Sequence, residues 1–199
     1  SQRRGANMGL VVANSVGLSG LVAPKPDVQI ITSSASPGWT KPPGCTRVYI
    51  EVIGSGGGGG SGQIAGGSGG EGGGGGGGGA FARAIFDADA LEPTLDVLIG
   101  AVGDGGAAIG SGSAGTAGGS CEVHGSTGGT IYLKSYGGGG GNVGADNTEG
   151  AGGGGGGTGG AGDSTATTVG GDGGRPLFQG EDHGDSLGGR GAKGGSNGD

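Results

Sequence analysis

The sequence predicts an all-β protein: a small antiparallel β-sheet combined with packed polyglycine-II helices, preceded by an extended N-terminal docking segment. Three observations predict it. Glycine supplies 65 of the 199 residues, against a usual share of roughly 7%. Short segments of apolar alternation lie between the glycine-rich stretches, and a period of two is the pattern of half-buried strands. No stretch shows the apolar stripe of a helix.

Composition narrows the choice further. Val, Ile, Leu, Met, Phe, Tyr and Trp total 38 residues, too few to fill a conventional side-chain core for a chain of this length. Most of the mass must therefore be packed backbone or coil. Collagen is excluded, because it needs glycine at every third position and abundant proline. Here residues 72–79 are eight consecutive glycines and prolines number seven. Disorder fits the scarcity of large aliphatics, but it usually requires strong charge as well. A net charge of −7 over 199 residues is weak. An acidic chain without a basic stripe is a poor nucleic-acid binder, so no nucleic-acid partner is expected. No run approaches the roughly 20 apolar residues of a membrane-spanning helix, and no membrane insertion is expected.

The first element is residues 1–36, read as a docking or assembly segment; residues 37–199 are read as the glycine-rich domain. Arg3 and Arg4 followed by a broken apolar stretch from Met8 to Ala23 partly resemble a secretory signal. Asn14, Ser15, Gly17, Ser19 and Gly20 dilute that stretch, and Pro24 follows the plausible cleavage site. A segment too weakly apolar to form a core of its own gains most by burying its side chains against a partner. Val11, Val12, Val16, Leu18, Leu21 and Val22 are the docking candidates.

The strand segments follow. Thr46 to Ile53 alternates, with Val48, Ile50 and Val52 on one face. Pro42, Pro43 and Gly44 mark a turn just before it. Phe81 to Phe86, Leu95 to Ile99 and Ile131 to Tyr136 are further strands, and Cys121 to His124 is a weaker fifth.

The glycine runs are the unusual element. Glycine loses more backbone entropy on folding than any other residue, so a run of eight is ordinarily a flexible linker. In the polyproline II conformation, however, the chain makes three residues per turn at a rise of about 3.1 Å, with every N–H and C=O directed outward. Without Cβ atoms such helices can approach closely and satisfy one another's backbone groups laterally. Residues 72–79 would span about 25 Å in that form. Residues 56–60, 137–141 and 152–157 are the other candidates.

The run from Pro37 to Gly60, with its Trp39, its Pro-Pro-Gly turn, its alternating strand and its closing glycines, resembles the opening of the glycine-rich domain of phage tail fibres and tail-tip adhesins. Residues 72–83, 95–106 and 132–141 are similar to that family's later strand and glycine elements. The resemblance covers roughly residues 37–160; the short aliphatic strand that usually closes such domains has no counterpart in residues 188–199. It implies a polyglycine-II fold and a non-enzymatic structural component of a phage virion, a tail-fibre or tail-tip subunit taking part in host-cell attachment at the particle surface. The implied partners are other virion proteins, held through the N-terminal segment, further copies in a homo-oligomer (a trimer by analogy) and a bacterial surface receptor. A capsid, collar or neck decoration protein, or a non-viral cell-surface protein, are the alternatives. The receptor-contact candidates lie in the connecting loops, where variation leaves a scaffold undisturbed: Asp146, Asn147, Phe178 and His183.

No catalytic, cofactor-binding or metal site is expected. Phosphate-loop patterns match glycine-rich sequence by chance, and the Gly-Lys-Ser/Thr ending of a phosphate loop is missing at Lys193. Glu181, Asp182, His183 and Asp185 form the densest polar cluster, read as a solvated loop ahead of a cation site. Cys45 and Cys121 are read as two buried thiols, or else as one cross-strand disulfide. Trp39 is read as a cap on the end of the sheet, with a sugar-stacking role as the alternative.

Overall fold

The structure, a computed structural model, describes residues 10–16, 26–64, 70–107, 112–144, 149–165 and 169–174. The chain forms two compact units that interleave along the sequence. One takes the chain up to Ile53, then Phe81–Ile99 and Cys121–Lys134; the other takes Gly54–Ala80, Gly100–Ser120 and the chain from Ser135 onward.

The first unit is antiparallel β-structure. Its strands are β1 (Leu10–Val16), β2 (Asp27–Ile31), β3 (Ala35–Thr40), β4 (Cys45–Ile53), β7 (Phe81–Asp87), β8 (Thr94–Leu98), β9 (Cys121–Gly125) and β10 (Ile131–Ser135), while β5 (Gln63–Ile64) and β6 (Gly70–Glu71) belong to the second unit. The only helix among the described residues is a single 3-10 turn at Ala88–Ala90. The five segments of apolar alternation became β4, β7, β8, β9 and β10. They do not make one small sheet. They join with β1, β2 and β3 into two four-stranded sheets, ordered β2-β1-β4-β7 and β10-β9-β8-β3.

Alternation decides which face of each sheet is buried. Val48, Ile50 and Val52 of β4, Leu95 and Val97 of β8, and Cys121 and Val123 of β9 form one core with Ala88 and Leu91. Each skips a residue, as the two-residue strand period requires. Trp39 belongs to this core at 2% exposure, which corrects its reading as an end cap. It sits opposite Leu95 in the β3–β8 pairing. Gly38 beside it leaves no room for a Cβ, which would lie 2.7 Å from Val97 Cγ2. The turn into β4 closes as expected: the Cys45 N–H donates to Pro42 O at 3.2 Å, with Gly44 at φ 75°. Proline followed by a positive-φ glycine is the sequence that a type II turn demands.

The segment read as a docking element contributes β1 and β2 and enters β3. β1 lies between β2 and β4, with Val11 opposite Ile30 and Glu51, and Val12 opposite Gln29 and Ile50.

The second unit carries the glycine runs. They have neither helix nor strand assignment, yet their backbone bonds are regular, and the interval is three. The N–H groups of Gly74, Gly77 and Ala80 donate to Asn142, Gly139 and Tyr136 at 2.8–2.9 Å. Those of Gly54, Gly57 and Gly60 donate to Ala80, Gly77 and Gly74, and those of Ser55, Gly58 and Ser61 to Gly119, Thr116 and Ser113. Gly150, Gly153 and Gly156 donate to Gly72, Gly75 and Gly78, and Gly138, Gly141 and Gly144 to Ser55, Gly58 and Ser61. Traced through, these bonds order the segments as three rows: 100–107, 54–61 and 72–80; then 112–119, 136–144 and 150–157; then 160–165 and 170–174.

Close approach makes glycine obligatory inside this network. At Gly139 a Cβ would lie 2.0 Å from Asp163 O, and at Gly58 1.9 Å from Asp104 O. At Ser135 and Ser61 a side-chain bond adds to the backbone ones. Buried Ser135 accepts from Gly54 N–H at 3.0 Å and donates to Ala80 O. Ser61 Oγ accepts from Ser113 N–H at 2.8 Å. Buried polar backbone is thus paired with few side chains.

Candidate functional site

The chemistry-bearing side chains gather in three places of the first unit. In the first, Asp96 of β8 stands opposite His124 of β9, and the Ser126 hydroxyl donates to Asp96 Oδ1 at 2.6 Å. That bond, chiefly, holds the Asp96 carboxyl below its ordinary range against desolvation, which raises it; a hydroxyl from Ser36 and then the neighbouring His124 add to the lowering. Aspartate, histidine and serine are all present, but the order is not that of a nucleophile. A catalytic serine gives its proton to the imidazole, which the carboxylate orients. Here the hydroxyl is spent on the carboxylate directly.

In the second place, Glu92 holds a turn. Its carboxylate accepts from Thr127 N–H at 2.7 Å and Gly128 N–H at 3.1 Å, and its own N–H donates to the Tyr132 hydroxyl at 3.1 Å. The turn ends on Gly129 at φ 65°, a conformation that favours glycine. This carboxylate organises the β9–β10 connection, and its acceptor atoms are occupied.

The third place is the outer face of the β2-β1-β4-β7 sheet. The register puts Val28, Ala13, Tyr49 and Ile85 in one row across the strands, and Ile30, Val11, Glu51 and Arg83 in the next. The Tyr49 hydroxyl donates to Glu51, and this bond is the main reason the Tyr49 phenol is raised above its ordinary range. Val28, Ile30, Phe81 and Ile85 are each about half exposed or more. Exposed apolar side chains sharing one face are the mark of an interaction surface. The alternation of Val28 and Ile30 was a readable signal for this face, hidden inside a segment taken whole as a docking element.

The residues singled out from sequence are distributed as follows. Val11, Val12 and Val16 lie in β1, opposite Glu51, Ile50 and Cys45 of β4. Leu18, Leu21, Val22, Asp146, Asn147, Phe178 and His183 lie outside the described residues, as does the Glu181–Asp185 cluster. Cys45 and Cys121 are not joined in a disulfide. They sit in different sheets, so they are not cross-strand neighbours. Cys121 is buried, while Cys45 is only half-buried, its thiol pushed up by that burial. Among the described residues no three His, Cys, Asp or Glu side chains gather at metal-binding distance, and no helix is long and apolar enough to cross a membrane.

A double β-sheet unit and a glycine unit bonded at three-residue intervals together define a protein in which backbone, more than side chain, does the packing. The chain belongs to the glycine-rich domain family, whose model matches residues 32–199. None of the curated proteins compared with it matches.

Proposed function

We propose that this protein is a non-enzymatic structural component of a phage virion, a tail-fibre or tail-tip subunit that takes part in host-cell attachment. Its glycine runs are packed polyglycine-II helices, and these form a rigid scaffold that presents connecting loops. The observation that carries the reading is the three-residue interval of the lateral backbone bonds. Three residues per turn is the repeat of the polyproline II helix, whereas a β-ladder repeats every two. This regularity follows directly on the opening element that resembles the phage domain. In that role the first unit, with its exposed Val28, Ile30 and Ile85, is the side that meets other virion proteins, and the loops of the glycine unit are the side that meets a bacterial receptor.

Two experiments test the two halves of the proposal. Native-state amide exchange should show protection recurring at every third residue through 74, 77 and 80; protection at every second residue would point to strands instead. For the attachment role, native particles are imaged with an antibody against residues 137–199. Label at the distal tail or its fibres is expected, together with blocked adsorption by the purified protein. Label at the capsid or collar would make this a decoration protein and overturn the attachment reading.

A further inference from the structure

Within the glycine unit, residue type follows packing. In residues 112–118 glycine recurs at 112, 115 and 118, and those positions are half-buried, while Ser113, Ala114, Thr116 and Ala117 are exposed. In residues 101–106, Gly103 and Gly106 are half-buried, and Ala101, Val102 and Asp104 are exposed. Residues 137–141 are all glycine and all buried. Over these stretches side chains stand mostly where solvent is and glycine mostly where another segment is; exposed Gly105, with nothing nearer than 3.8 Å to its Cβ position, and buried Ala151 are exceptions.

Residues 72–79 break this rule. They are the longest glycine run in the chain, yet Gly72, Gly73, Gly75, Gly76 and Gly78 are exposed. Two of the run's three faces explain themselves. A Cβ at Gly73, Gly76 or Gly79 would lie 1.9–2.1 Å from the carbonyl oxygens of Gly60, Gly57 or Gly54, and one at Gly74 or Gly77 would lie 1.9–2.0 Å from those of Ala151 or Gly154. The third face, Gly72, Gly75 and Gly78, has nothing within 4 Å of the Cβ positions, and none of the three has a left-handed φ. Nothing among the described residues requires glycine there. The N–H groups of Gly73, Gly75, Gly76 and Gly78 also donate to no partner among the described residues.

We propose that this open face is an interface, and that its occupant is residues 72–79 of a second copy, running antiparallel across a two-fold axis. The occupant must itself lack side chains, and the longest glycine run in the chain satisfies that condition on a matching length. The run already bonds antiparallel to residues 54–61 and 136–144, so the pairing mode is one the backbone uses here. An antiparallel pair of identical runs is self-complementary, each donor row meeting the other copy's acceptors, and it closes as an isologous dimer. A three-fold ring would need two different surfaces. The strip carries no charge, so the net −7 of each chain is not concentrated at the contact. At about 25 Å long and about 5 Å wide, the lateral spacing of hydrogen-bonded backbones, it buries roughly 250 Å² in total, far below the ~1,200 Å² of a standard interface. The dimer is therefore weak and reversible. The inference rests on the hydrogen-bond network and is independent of the virion reading.

Sedimentation velocity on the full chain, from 5 µM to about 1 mM, tests it. The expected result is a shift toward twice the 18.1 kDa monomer mass. The triple variant Gly72→Ala, Gly75→Ala, Gly78→Ala should keep or raise the melting temperature measured at 5 µM and lose the dimer. A wild-type chain that stays monomeric, a trimer, or a variant that dimerises equally well would each overturn the proposal. Should the variant fail to fold, amide exchange of the wild type decides. Slowing at Gly73, Gly75, Gly76 and Gly78 that tracks the dimer fraction supports the interface. Rates that do not change with concentration overturn it, whether those amides are open throughout or already covered by the chain's own residues or by another protein.

Discussion

A methyl group placed at Gly139 is expected to destabilise the glycine unit severely, whereas the same methyl at Gly75 is expected to be harmless. Gly139 is buried in the middle of residues 136–144. Its N–H donates to Gly154 O and its carbonyl accepts from Gly77 N–H, both at 2.8 Å. An alanine Cβ would lie 2.0 Å from Asp163 O, and real Cβ atoms do not approach closer than about 3.0 Å. Something must move by about 1.0 Å, the difference between these two distances. A shift of that size stretches the 2.8 Å bonds to about 3.8 Å, beyond hydrogen-bond range. Each buried backbone group left unpaired costs about 1–3 kcal/mol, so the N–H and the carbonyl of Gly139 alone amount to about 2–6 kcal/mol. That is a large part of a typical total stability of about 5–15 kcal/mol, and it corresponds to a fall in Tm of roughly 4–24 °C for a chain of this size. At Gly75 a Cβ meets nothing within 4 Å, and Gly→Ala in a compatible conformation gains about 0.4–1 kcal/mol through the unfolded chain. Both variants are measured by calorimetry and urea denaturation at 5 µM, where the proposed dimer is dissociated. If Gly139→Ala unfolds within about 0.5 kcal/mol of wild type, backbone packing does not hold this unit together.

Three further predictions concern the β-sheet unit. Trp39→Ala should cost about 3–5 kcal/mol, as for a large aromatic removed from a core, measured by urea denaturation; a cost under about 1 kcal/mol would restore the end-cap reading. In thiol labelling at pH 8, Cys45 should react slowly, because burial pushes its thiol up and leaves less thiolate, and buried Cys121 should react only on unfolding. Equal rates would contradict the placement of the two residues. Ser126→Ala should raise the Asp96 carboxyl toward its ordinary range, since the Ser126 hydroxyl is the main cause of its lowering. A depressed carboxyl adds stability above its unfolded pKa and loses it as pH falls through the folded pKa. The variant should therefore be less stable than wild type at neutral pH and lose less of its stability as pH falls through the carboxylate range, and a carboxyl titration by carbon NMR checks the shift directly.

Much of this organisation was legible in the sequence, and the gaps have physical causes. Val48, Ile50 and Val52 alternate, so β4 announced itself, and so did β7, β8 and β10. β1 reads Leu-Val-Val-Ala-Asn-Ser-Val, a run without alternation, and its strand state is decided by pairing on both sides with β2 and β4. β3 contains Pro37 and Gly38, residues that signal turns, and pairing with β8 overrides that signal. Trp39 was misread for the same reason: a core side chain is recognised by its strand, and the strand was invisible. The candidate surfaces were less legible still. A half-exposed Val28 or Ile85 differs from a core residue only in which sheet face it takes, and register sets that, not composition. No sequence rule says that residues 72–80 lie beside 136–144 and 150–157, because glycine carries no side chain by which one run could be told from another.

What glycine spacing does encode is how many faces of a segment are packed. A segment with glycine at every third position, such as Gly112, Gly115 and Gly118, has one side-chain-free stripe and can be approached closely from that direction alone. An unbroken run has a free stripe in every direction. Residues 137–141 use that freedom: as part of segment 136–144 they are bonded within 54–61, 72–80, 112–119, 150–157 and 160–165. Filling those positions with alanine would drive Cβ atoms to within 2.0–2.2 Å of carbonyl oxygens on different neighbours. The backbone entropy lost in ordering glycine, about 1–2 kcal/mol per residue, is therefore tolerable only where neighbours supply bonds on several sides. By that measure residues 72–79, with three open positions on one face, carry more glycine than the described residues around them require. A flexible linker would show no such division into faces. In this run the division is regular, at every third residue, so the surplus glycine is confined to one continuous strip, the geometry of a surface waiting for another backbone.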